Sequence, residues 1–491
     1  MSIWSRKSID VLLADAERAP HPGGPTLRRT LGTWNLTSIG IGSTIGAGIF
    51  VLTGQAAADY AGPAVAISFM LAAVACLCAA LCYAELASMI PVSGSAYTYA
   101  YATMGEIVAW IIGWNLVLEY LLSVSTVAVG WSGYFTAFLD EQGLHIPAAF
   151  TSPPLVRDET GHWVLHSGLL NFPAVVIVLL STAALSVGIR ESALVNNIMV
   201  LVKLLVILLV IGFGVAYIDT ANWEPFVPEN TGKAGQFGWT GVLRAAGLVF
   251  FAYIGFDTVS TSAQEAHNPR RTVPLGLIFT LIICTVLYVA MSLVMTGLAP
   301  YTSLSVPHPV FVAVDHAGPA LAWLKPVVTI GAMVGLASAI LVTLYGQIRI
   351  FYSMGRDGII PPAFSRLHPR FCIPLRGTWY CGIAAAIIAG IFPIEVLGEL
   401  VSIGTLLAFA MVCAGVVVLR KTRPEMPRVF RVPFGVPVAI FGVLTCVALM
   451  LSLPWDTWIR LAVWLVIGFA IYFGYGYRHS GLRRTETPPA A

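Results

Sequence analysis

Apolar positions along this chain run in long unbroken blocks separated by short polar loops, with neither strand alternation nor a single helical stripe. A bilayer-crossing helix needs about 20 consecutive apolar residues, and window reading finds roughly twelve such blocks. They cover residues 33–57, 62–90, 98–138, 170–189, 193–218, 239–263, 272–298, 321–354, 378–392, 394–419, 433–453 and 457–477. The pattern predicts an all-α polytopic membrane protein of twelve transmembrane helices. Spans 9 and 10 are the least separated, with only Pro393 between them.

Composition agrees. Of 491 residues 57% are hydrophobic and only 10% charged, and mean hydropathy is +0.83. A soluble surface needs far more charge. The net charge of +3 says little by itself; the placement of the charges says more. With the N-terminus inside, inner segments hold twenty basic residues, outer segments and the outer ends of spans hold Arg157, Lys233, Lys325 and Arg460, and Lys203, Arg244 and Arg349 fall further within spans. That bias follows the positive-inside rule and places both termini in the cytoplasm. The basic N-terminus has no short apolar region with a cleavage site, so it reads as a retained tail. The eight cysteines form no C-x-x-C pair and no histidine sits mid-span, which leaves no pattern for a metal, a cofactor or a disulfide framework. Neither the charge nor any motif points to nucleic acid.

Two spans are poor helices. The first contains Gly40-Ile41-Gly42-Ser43-Thr44-Ile45-Gly46-Ala47-Gly48. Each glycine costs about 1 kcal/mol in a helix against alanine, and frayed backbone in hydrocarbon finds no water. Such a segment survives where it lines a cavity or where a ligand satisfies it, and a carboxylate suits the N–H groups of a half-helix start. Close packing through Gly42-xxx-Gly46 is the competing explanation. The sixth span places an aromatic run, Gly255 and Asp257 mid-span. Interruptions in the first helix of each of two five-helix halves point to an inverted-repeat transporter with a midplane site. On that basis residues 1–31 form a tail, 32–218 and 219–419 the two repeats, 420–477 the last two helices and 478–491 a second tail.

These residues resemble the amino acid–polyamine–organocation superfamily, and within it the bacterial relatives of the cationic amino acid transporters. The resemblance rests on Gly42–Phe50, on Ala84-Glu85-Leu86 through Pro91 to Tyr97, on Gly113-Trp114-Asn115 through Glu119-Tyr120, on Phe251 to Asp257 with Glu265-Ala266-His267-Asn268-Pro269, and on Arg349 through Gly358. It implies a five-plus-five fold with discontinuous helices 1 and 6. By motif position Thr44, Ala47 and Gly48 would meet a substrate carboxylate, and Phe251, Ala252 and Ile254 would meet its amine. Vertebrate members have fourteen helices, so their preference for arginine and lysine does not carry over directly.

Charges inside the bilayer are costly, by at least about 2.5 kcal/mol at its centre, and mark function by default. Lys203 sits mid-span among valines and leucines. The resemblance implies that its ammonium replaces the sodium of sodium-coupled relatives and bonds carbonyls near Gly42 to Ile45, making transport proton-linked; a purely structural tie between helices 5 and 1 is the alternative. Glu119 in span 3 reads as a proton carrier, a pocket acid or a protonated interhelical bond. Asp257 reads as a gate to the break or a helix cap. Leu341 is read as a bulky pocket wall that disfavours long cationic side chains. Arg244 is expected to snorkel or pair near the outer face, Glu395 and Glu399 suit a helix start, and Tyr472, Tyr475 and Tyr477 read as interface anchors.

The chain is thus expected to be a proton-coupled, sodium-independent amino acid permease of a bacterial inner membrane. A cationic amino acid exchanger or a non-transporting sensor are the alternatives. Its partners are the amino acid, protons and membrane lipids, with room for a small single-helix accessory subunit. A channel would show a repeated filter, an ATP-driven pump a phosphate loop, and an enzyme a catalytic cluster; the sequence carries none of these.

Overall fold

The computed structural model describes residues 4–7, 31–90, 95–157, 163–165, 168–187, 193–261, 266–368 and 373–481. The Pro91-Val92-Ser93-Gly94 part of one motif, Glu265 and most of both tails lie outside them.

Twelve spans are present among the described residues. Span 1 is Thr33–Thr44, continued after a break by 48–61; span 2 is Val65–Met89, span 3 Glu106–Glu141, span 4 Phe172–Ser186 and span 5 Ala193–Gly214. Span 6 is Gly238–Val249 with a tight turn Phe250–Tyr253 and, after a break, Thr258–Thr261. Spans 7 to 12 are Pro269–Leu298, Leu324–Arg356, Leu375–Ile391, Ile394–Thr422, Val436–Ser452 and Trp455–Ile471. Eight helical runs are long and apolar enough to cross a bilayer, the run Gly48–Met89 holding the outer half of span 1 and all of span 2; three shorter apolar helices supply spans 4, 9 and 11. The protein is an all-α polytopic membrane protein. A two-stranded hairpin, Leu155–Arg157 with Trp163–Leu165, decorates the loop between spans 3 and 4.

The third apolar block is two helices, not the single 98–138 that periodicity suggests. Ser95–Thr103 is separate, and Gly105 at φ 103° turns the chain into span 3. Glycine tolerates that left-handed backbone, and a Cβ there would also press on the Trp4 carbonyl.

Helix pairing carries the repeat that sequence identity does not. Span 1 packs on 7 as 6 packs on 2, 3 on 10 as 8 on 5, 2 on 10 as 7 on 5, 1 on 5 as 6 on 10, and 3 on 4 as 8 on 9. Spans 2 and 7, 3 and 8, 4 and 9, and 1 and 6 pair with each other. Adding five to each number therefore returns the same set. Five is odd, so the second set enters the bilayer from the opposite side to the first.

Spans 11 and 12 lean on spans 2, 3 and 10. Trp114 and Trp464 stack at 4.4 Å and exchange indole-to-carbonyl hydrogen bonds of 2.8 and 3.1 Å. Tyr472 is not an interface anchor. It is fully buried and donates to Glu106 at 2.7 Å, because a phenol packed inside a bundle needs an acceptor there. Glu85 is a structural ion-pair centre: it accepts both forks of Arg420, at 2.9 and 2.5 Å, and the Val432 amide at 2.8 Å.

Candidate functional site

Both glycine-rich segments are broken. The inner half of span 1 ends at Thr44, and Ile45 is extended, at φ −75° and ψ 105°. The outer half restarts at Gly48 as a wide π-turn. A helix start leaves its leading N–H groups without intrahelical acceptors, here around Ala47, Gly48 and Ile49, with the positive end of the half-helix behind them. In span 6 the turn Phe250–Tyr253 ends at an extended Ile254, and Gly255 follows at φ 109°. A non-glycine residue would be strained there, and its Cβ would also press on the Ser43 carbonyl at 2.7 Å. The two breaks therefore present complementary ends: donors at 47–49 and carbonyls at 251–254, of which that of Phe251 already accepts from the Ile254 amide at 3.1 Å.

Neighbouring spans hold the freed backbone. Lys203 Nζ donates to the Gly42 carbonyl at 2.9 Å, and the residue is 1% exposed. The ammonium thus sits at the negative end of the inner half-helix, where a cation is favoured. Ser43 Oγ donates to the Gly255 carbonyl at 2.9 Å, tying one break to the other. The Tyr288 hydroxyl of span 7 lies 2.8 Å from the Ala252 carbonyl and 3.1 Å from that of Thr44, so one phenol bridges both breaks. Thr44 Oγ1 turns back to Gly40 at 2.7 Å. Gly48 packs against the main chain of Ala252, which a Cβ would overlap.

The structure places Thr44, Ala47, Gly48, Phe251 and Ala252 at the two breaks, all buried, with buried Lys203 on the Gly42 carbonyl and Ile254 half-buried at the end of the span 6 turn. Glu119 and Asp257 lie near each other beside Tyr83, each almost fully buried. One Glu119 oxygen and both Asp257 oxygens reach no hydrogen-bond partner at bonding geometry among the described residues. The amides of Gly255 and Thr258 lie close to Asp257.

Leu341 is not with them. A span 8 residue at Gly46's level is Ala339, 3.6 Å from where a Gly46 Cβ would stand, and Gly335 faces Lys203. Leu341 is two residues on, about 200° round the helix. It shares the face of the exposed Ile330, Val334 and Tyr345. Sequence reading chose bulk and missed the helical phase. It also missed Ser43 and Tyr288. A phenol in the middle of apolar span 7 was a usable signal, since a buried Tyr hydroxyl requires a partner.

The chain matches the family model described as "Amino acid permease" over residues 31–472. It belongs to the amino acid permease family, within the amino acid–polyamine–organocation superfamily. This permease family comprises membrane transporters and not enzymes. The chain is similar to "Branched-chain amino acid permease BcaP" of Bacillus subtilis (strain 168), 47% identical over 485 residues, covering 98% of this chain and 99% of that one. It is 44% identical over 483 residues to the "Methylthioribose transporter" of the same strain, covering 98% and 100%. It is 37% identical over 425 residues to "Cationic amino acid transporter 4, vacuolar" of Arabidopsis thaliana, covering 86% and 68%.

Proposed function

We propose that the chain is a proton-coupled, sodium-independent permease for neutral L-amino acids, working by alternating access in a bacterial cell membrane with both termini cytoplasmic. The observation that supports this best is the pair of facing breaks, one presenting N–H donors and the other carbonyls. An α-amino acid carries the matching carboxylate and ammonium on one carbon. Thr44, Ala47 and Gly48 would receive the carboxylate, and Phe251, Ala252 and Ile254 the amine. Phe251, Ile254 and Ala339 give the side chain an apolar surround, which fits a branched chain and agrees with the likeness to a branched-chain permease. Lys203 on the Gly42 carbonyl couples protonation to the position of the inner half of span 1. Glu119 is the second proton group, and Asp257 gates the break it follows.

The likeness to a methylthioribose transporter favours a second reading, because that sugar thioether has neither a carboxylate nor an amine. A substrate panel in proteoliposomes separates the two. Under an outside-acid gradient, leucine, isoleucine and valine should enter saturably, faster than without the gradient, and equally with or without sodium. Preferred uptake of arginine or of methylthioribose would overturn the neutral amino acid reading.

A further inference from the structure

The outer ends of both broken spans meet span 10. Glu395 and Glu399 stand one helical turn apart near its start. Glu395 accepts from Gln55 Nε2, in the outer half of span 1, at 2.8 Å. Glu399 is 4% exposed and lies between two guanidiniums: Arg244 of span 6, with Nη2 3.6 Å from Oε1, and Arg460 of span 12, with Nη1 3.8 Å from Oε2. Thr457 of span 12 also donates to Oε2, at 2.9 Å. Arg244 lies over the ring of Tyr60, 4.3 Å from its centroid, and Nη2 reaches the Tyr60 hydroxyl at 3.4 Å. Tyr60 ends the outer half of span 1, so one arginine joins both outer halves to Glu399.

A carboxylate in the first turn of an exposed helix start suits the helix dipole. Glu399 is buried instead, and a buried carboxylate must keep a cation or be strongly penalised. Its two cations differ in kind. Arg244 belongs to a broken span. Arg460 belongs to span 12, which packs on spans 3 and 10. If span 6 swings outward, Arg244 leaves and Arg460 remains, so the carboxylate is never without a partner.

We propose that Glu399 is the latch of an outer gate: it holds the outer halves of spans 1 and 6 shut through Arg244 and releases them by falling back on Arg460. This rests on the alternating-access reading. The test measures accessibility without any substrate, so its result stands apart from whether amino acids are carried.

Ala56, fully buried in the outer half of span 1, is replaced by cysteine. The protein is reconstituted in vesicles, and a membrane-impermeant thiol reagent is added outside; the parent chain supplies the background rate. Glu399→Gln and Arg244→Met should each speed labelling of the Ala56→Cys protein about tenfold, as the 3.6 Å ion pair is lost. Arg244→Lys, which keeps the charge but loses the fork, should give an intermediate rate. Unchanged labelling in all three single variants would overturn the latch and leave Glu399 as a static packing charge.

Discussion

Lys203→Met should uncouple uptake from the proton gradient. The ammonium donates to the Gly42 carbonyl at 2.9 Å and lies inside the bundle. A hydrogen bond from a charged donor is worth about 1.5–3 kcal/mol, which is roughly a 10- to 150-fold change in an equilibrium. Methionine keeps the length and apolar stem, so packing against Gly335 survives while the donor is lost. The Gly42 carbonyl loses this partner in a medium without water, and the inner half of span 1 loses its tie to span 5. In proteoliposomes an outside-acid gradient should then no longer accelerate uptake, while exchange of labelled for unlabelled substrate at equal pH should persist at a reduced rate. Gradient-driven acceleration equal to that of the parent would assign the proton elsewhere, with Glu119 first in line.

Gly48→Val should abolish transport outright. The missing Cβ at Gly48 is what lets the two breaks touch, since that atom would overlap the Ala252 main chain. Overpacking a tight contact costs about 1–3 kcal/mol even where side chains can yield; here the neighbour is backbone, which yields less. The strain falls on the two segments proposed to bind substrate, so binding should fail before folding does. Gly212→Ala provides the contrast, because nothing lies within 4 Å of its added Cβ. The valine variant should elute as folded protein yet show no uptake above empty vesicles, and the alanine variant should transport like the parent. Uptake by the valine variant within about twofold of the parent, less than one hydrogen bond's worth of change, would show that spans 1 and 6 part at this point more easily than the contact implies.

Much of this fold is legible in the sequence because a bilayer imposes one requirement over some 20 residues at a time. The span boundaries agree with the structure to within a few residues, except where Gly105 splits the third block. The breaks are legible for the same reason: glycines at 40, 42, 46 and 48 weaken a helix where hydrocarbon otherwise demands one. What the sequence hides is rotational phase and long-range pairing. Leu341 reads as a wall only if its helix is turned the wrong way, and Ala339, small and unremarked, is the residue facing span 1. Tyr288 bridges two carbonyls that lie 244 and 36 positions away. Arg244 and Glu399 are separated by some 150 residues and meet only because spans 6 and 10 pack together. Glu395 and Glu399 look like helix-start charges until their partners are seen.

Backbone ends at the two breaks are proposed to recognise an α-carboxylate and an α-amine together. Competition against labelled leucine by leucine methyl ester and by N-acetyl-leucine tests it most directly, because each analogue keeps the side chain and masks one end. Neither should displace the label at concentrations where free leucine does so fully. Displacement by either analogue as effective as that by leucine itself would contradict it.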